Sequence, residues 1–143
     1  MEINVTTWKL TAAQVQALNS SPFTVVPSAG SNKVIIFDKA YFYYDYGTAA
    51  FGGIAAGENL EFKYTDNSGV TAAVCETIGF LDQTNDEDRV VLPNNGTVAI
   101  MEQDGAPSVL GEPLVLQLAS GDITGGTAST LQVTVFYYII NKI

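Results

Sequence analysis

From Lys33 to its end the chain is written as short apolar or aromatic runs separated by turn residues. The clearest alternation is Leu60, Phe62 and Tyr64 against Asn59, Glu61 and Lys63, the period of a half-buried strand. Further strands are predicted at Phe23–Val26, Lys33–Tyr46, Val70–Phe80, Val90–Leu92, Thr97–Met101, Leu114–Leu118 and Thr130–Ile140. Asp38 and Lys39 interrupt the apolar run of Lys33–Tyr46 and mark a bend or bulge inside it. Pro93-Asn94-Asn95-Gly96 predicts a tight hairpin, because Asn-Gly supplies the positive φ values such a turn needs. Turns are also predicted at Pro27–Asn32, Asp66–Gly69 and Ser120–Ser129, and loops at 47–57, 81–88 and 103–111.

The start of the chain differs. Ile3, Val5 and Thr7 alternate with polar residues, which predicts an extended arm over residues 1–9. Thr11 and Gln14 have the spacing of a capping box, and Val15 and Leu18 share a helical face. A short helix is therefore expected over 11–19, ended by Asn19-Ser20-Ser21-Pro22. It is too short to stand alone and must dock. The whole reads as one all-β domain of 143 residues, an antiparallel sandwich or jelly roll with its β body at 23–140.

Two strands carry large apolar or aromatic residues on both sides. Tyr41 and Tyr43 oppose Phe42, Tyr44 and Tyr46; Leu131, Val133, Val135, Tyr137 and Ile139 oppose Gln132, Thr134, Phe136, Tyr138 and Ile140. An outer strand of a solvated sandwich alternates apolar with polar. Either the helix or a loop covers the second face, or a neighbouring subunit does, since Tyr and Phe are enriched at such interfaces.

Composition narrows the functions. The chain has no His, one Cys and six Lys plus Arg against fifteen Asp plus Glu, a net charge of −9. That charge repels nucleic acid and anionic lipid, so neither a nucleic acid nor a membrane is an expected partner. No basic-then-apolar leader and no long apolar run is read in the sequence. Cys75, in Ala72-Ala73-Val74-Cys75, reads as an inert buried thiol.

Candidate chemistry is thin. A serine nucleophile lacks its usual base. Asp82–Asp88 offers oxygen ligands for calcium but lacks the Gly and terminal Glu of an EF-hand loop, so a solvated loop is the plainer reading. Asp45, Glu58, Glu61 and Glu76 are nominal carboxylates for glycoside hydrolysis, with nothing to single out a pair. Gly52-Gly53 and Gly125-Gly126 read as turn chemistry, not phosphate loops. Trp8 reads as the anchor of the arm, although it and the tyrosines also have the rings that stack on sugars. No enzyme activity, cofactor or metal is expected.

The helix segment Leu10–Leu18, the run Ser21-Pro22-Phe23-Thr24-Val25-Val26-Pro27, the strand start at Asn32-Lys33-Val34-Ile35 and the ending Thr124-Gly125-Gly126 … Leu131–Tyr138 come in an order that resembles small structural proteins of tailed bacteriophages that decorate or cement capsids. The resemblance implies a partner, the major capsid protein, a place on the outer capsid surface of the virion, and no catalytic residues. The expectation is a homo-oligomer, with a trimer favoured over a dimer. Its interface is expected to use the arm through Ile3, Val5 and Trp8 and the aromatic strands through Tyr41, Tyr43, Phe136 and Tyr138. Removing residues 1–9 should then leave the β body folded. The alternative is a receptor- or carbohydrate-binding module of a tail fibre or baseplate.

Overall fold

The computed structural model describes residues 2–94 and 109–142. The expected strand Thr97–Met101, the turn at Asn95-Gly96 and most of the loop 103–111 lie outside the described residues. The elements are β1 (Asn4–Leu10), α1 (Ala12–Gln16), β2 (Phe23–Val26), β3 (Lys33–Asp45), β4 (Phe51–Gly52), β5 (Asn59–Tyr64), β6 (Thr71–Glu76), β7 (Glu87–Val91), β8 (Leu114–Leu118), β9 (Thr124–Gly125) and β10 (Thr130–Asn141).

Two four-stranded antiparallel sheets face each other, ordered β1-β10-β3-β7 and β2-β8-β5-β6. Setting aside the two-residue strands β4 and β9, eight strands remain. The first pairs with the eighth, the second with the seventh, the third with the sixth and the fourth with the fifth. Such nested pairing is one long hairpin. Rolling it up makes the two further ladders, β3 on β10 and β5 on β8. The fold is a jelly roll.

The predicted bulge is present, and it has a specific effect. Phe136 pairs with Lys39 but Tyr137 pairs with Phe37, so β3 holds one extra residue at Asp38. Ile35 and Phe37 face the core on one side of it, and Ala40, Phe42 and Tyr44 on the other. The parity of β3 switches while that of β10 does not.

The core fills with the inward residues of both sheets. Phe42 stacks on Phe62 at 5.5 Å between centroids, and Phe37, Phe80, Tyr44 and Phe51 extend the cluster. Tyr64, inside the core, donates its hydroxyl to the Ile35 carbonyl at 2.6 Å, a hydrogen bond from one sheet to the other. Cys75 is buried as expected, and burial pushes its thiol up to about 11.

The helix begins with the predicted capping box, Thr11 and Gln14 bonding each other's backbone. It docks by its far end. Val15 enters the core, the Gln16 carbonyl accepts from Ile123 N, and its side-chain amide donates to the Gly125 carbonyl. Asp122 accepts from Asn19 N, Ser20 N and the Ser20 hydroxyl, which hold its carboxyl below the usual range. The two Gly-Gly turns meet as the β4–β9 ribbon. There Gly126 has φ +73°, and a Cβ on it would sit 2.2 Å from the Phe51 ring.

The N-terminal segment corrects the sequence reading. Residues 4–10 are extended, but they do not reach outward: every one of them pairs with β10 as the edge strand of the first sheet. Trp8 then straps that edge to the second sheet. Its indole N–H donates to the Val25 carbonyl at 2.9 Å, and its ring meets Phe23 edge-on at 5.4 Å. Removing residues 1–9 is therefore expected to destabilise the domain by about 3 kcal/mol or more, with urea unfolding as the measure. A truncated chain as stable as the whole would show the pairing to be dispensable.

Glu58 carries a second test. It is 2 % exposed and accepts from the backbone N–H groups of Asn59, Ser120 and Gly121, tying the start of β5 to the turn after β8. Glu58→Ala leaves three partly buried backbone donors without their acceptor and should cost about 3 kcal/mol in urea or thermal unfolding.

Candidate functional site

Strand alternation puts half of the first sheet's residues on its outer side, and the register arranges them in rows. One row is Val5, Phe136 and Lys39. The next is Thr7, Thr134, Tyr41 and Val90. The third is Lys9, Gln132, Tyr43 and Asp88. Beyond the first row Tyr138 pairs with Ile36. Ile3 precedes β1 and is exposed.

Polar contacts fix several of these side chains. Tyr41 donates to Asp88 at 3.2 Å and Tyr43 to Asp86 at 2.9 Å. Asp86 also accepts from Tyr46 N, which orders the end of β3. The hydroxyls of Thr7 and Thr134 lie 3.0 Å apart across the β1–β10 ladder. The Lys39 ammonium sits 5.3 Å over the Phe136 ring and 3.4 Å from Asp38. Val5 is 53 % and Val90 66 % exposed, while Tyr41, Tyr43, Phe136 and Tyr138 are half-buried by their neighbours.

Five of the seven residues expected at an interface thus share this face: Val5, Tyr41, Tyr43, Phe136 and Tyr138; Ile3 lies just before the strand. Trp8 does not share the face. It points to the other side of its strand, where it acts as the anchor the sequence also suggested. Helix α1 docks at the end of the sandwich by Val15, so it is not the cover of Tyr41 and Tyr43.

Sequence reading missed Val90, Ile36, Lys39 and Lys9 as members of the face. Ile36 lies inside the run Val34–Phe37, whose parity is readable only once the bulge is placed. Val90 has no alternation of its own to show which side it takes. The acidic residues Asp86 and Asp88 read as solvated loop, yet they serve as acceptors for the tyrosine row.

The other candidates resolve separately. Asp82 accepts from Gly79 N and Gln83, and no group of three or more acidic, His or Cys side chains placed to hold a metal is found among the described residues. Of the nominal carboxylates, Glu61 accepts from Gln117, Asp45 is exposed at the end of β3, and Glu58 and Glu76 line an open recess of about 250 Å³ with Gly57, Asn59 and Ile78. A second shallow recess of about 310 Å³, mostly apolar, lies between the helix and β2. Among known proteins, the chain matches no family model, no curated protein and no solved structure.

The face carries rings and aliphatic side chains, with the Tyr41 and Tyr43 phenols bonded to carboxylates. Its tyrosines carry a titration signature. The hydrogen bond to Asp86, followed by desolvation, holds the Tyr43 phenol above its usual range. For Tyr41 desolvation leads and the bond to Asp88 adds. A raised phenol contributes stability that is present below pH 10 and lost as pH rises through the folded value. Ultraviolet titration should find these tyrosines ionising later than free tyrosine, and Asp86→Asn should bring Tyr43 back toward it. An unchanged titration curve would mean that the Tyr43–Asp86 bond does not persist in solution.

Proposed function

We propose that this is a structural virion protein that self-associates and decorates a capsid, binding the major capsid protein on the outside of the shell and holding its subunits together. One observation carries the reading. The outer side of sheet β1-β10-β3-β7 presents Val5, Phe136, Tyr138, Tyr41, Ile36 and Val90 where a solvated sandwich would present polar residues. The low charged fraction, 15 %, supports it: a chain with so few charges leaves apolar surface for a partner to cover. The capsid is the expectation of the resemblance in the sequence. The jelly roll itself occurs in viral capsid and lectin domains alike, so it does not choose between partners.

The second reading is a receptor- or carbohydrate-binding module. It is favoured by the rings of Tyr41, Tyr43, Phe136 and Tyr138 on one open sheet face, each able to stack on a sugar.

Co-sedimentation with shells lacking this protein separates the two. Decoration predicts saturable occupancy and a higher melting temperature of the shells. Phe136→Asp should lower occupancy about a hundredfold at fixed concentration, because many weak copies bind through avidity. No occupancy at any concentration rejects decoration, and saturable binding on a glycan array moves the assignment to the second reading.

A further inference from the structure

The rows of the outer face are complementary to themselves in one orientation. On the row Lys9, Gln132, Tyr43, Asp88, the cation stands on the β1 edge and the anion on the β7 edge. They are three strand spacings apart, about 14 Å, too far to meet within one chain. Lys9 takes part in no ion pair among the described residues.

We propose that this face packs on the same face of a second copy, related by a two-fold axis running along the strands. The inference rests on the self-association proposed above and names its geometry. Such an axis exchanges left and right across the sheet but keeps each row opposite itself. Lys9 then faces Asp88 of the other copy, twice. Phe136 faces Lys39, repeating between chains the ring-and-ammonium contact seen within one. Gln132 faces Tyr43, Thr134 faces Tyr41, and Tyr138 faces Ile36.

An axis across the strands would instead lay each strand on its own copy, Lys9 over Val5, and leave the charges over carbon. A three-fold ring needs two different surfaces, one meeting the other. A single broad face used twice is an isologous contact. The geometry therefore favours a dimer, where the sequence reading favoured a trimer. Four strands about 4.8 Å apart and four rows about 6.8 Å apart give a face near the lower size limit for a specific interface. The dimer should accordingly dissociate on dilution.

Sedimentation equilibrium on the full chain, from about 1 µM to 1 mM, reads the assembly. A monomer–dimer equilibrium is expected. Lys9→Glu and Asp88→Lys alone should each raise the dissociation constant at least about tenfold, since each creates two like-charged pairs. The double variant Lys9→Glu with Asp88→Lys should restore it to within about threefold. Both sites are exposed, and circular dichroism confirms that each variant folds. A monomer throughout, a trimer, or a dimer that the double variant fails to restore overturns the pairing.

The shell assay keeps the two proposals apart. A monomer that still saturates shells overturns the pairing and leaves decoration standing. A dimer rescued by the charge swap that never binds shells upholds the pairing and removes decoration.

Discussion

Twelve residue pairs join β3 to β10, and the register of those pairs decides which side chains are dry. The ladder sits at the centre of the first sheet, so its inner side supplies Phe42, Tyr44, Val133 and Val135 to the core. Its outer side supplies Tyr41, Tyr43, Phe136 and Tyr138 to the exposed face. Strands have a side-chain period of two, so one extra residue in β3 switches the sides its residues take relative to β10. That extra residue is Asp38. Without it, Ile35 and Phe37 would share a side with Tyr41 and Tyr43, and core and surface would exchange at one end of the sheet.

The rest of the molecule closes around that ladder. The nested hairpin rolls until β1 lies beside β2 and β7 beside β6. Both seams are bonded. Trp8 reaches across the first to Val25, and Asn94 N donates to the Ala72 carbonyl across the second. Sheet edges, the usual sites of unwanted pairing, are thus turned toward each other. Among the described residues, what stays open is a face and not an edge, which directs association into side-chain packing. That constraint links the fold to the proposed role: a body with protected edges and one apolar face can associate without growing into fibres.

Much of this was legible in residues 11–18, 33–46 and 59–64. The capping box needs only Thr11 and Gln14 three apart, a local requirement that a sequence states directly. Leu60, Phe62 and Tyr64 turn inward because alternation over six residues leaves no other arrangement. The bulge announced itself by two charged residues, Asp38 and Lys39, in an apolar run. By contrast, the arm was misjudged. Ile3, Val5 and Thr7 show alternation, but alternation is shared by a free arm and a paired edge strand. The pairing of β1 with β10 spans more than 120 residues and leaves no local mark. The roles of Asp86, Asp88 and Glu58 were hidden for the same reason: each carboxylate serves donors far from it in the chain or on another strand.

The sequence by itself determined the class of the fold, the position of its turns and the two-sided greasiness of β3 and β10, because these depend on residue type and on spacings of two to four. Only the tertiary structure decided which residues stand side by side on the outer face, that Trp8 is a strap and not part of that face, and that Lys9 and Asp88 lie on one row. Those relations are set by register between distant strands. Register is the sum of many weak pairings, and no single segment contains it.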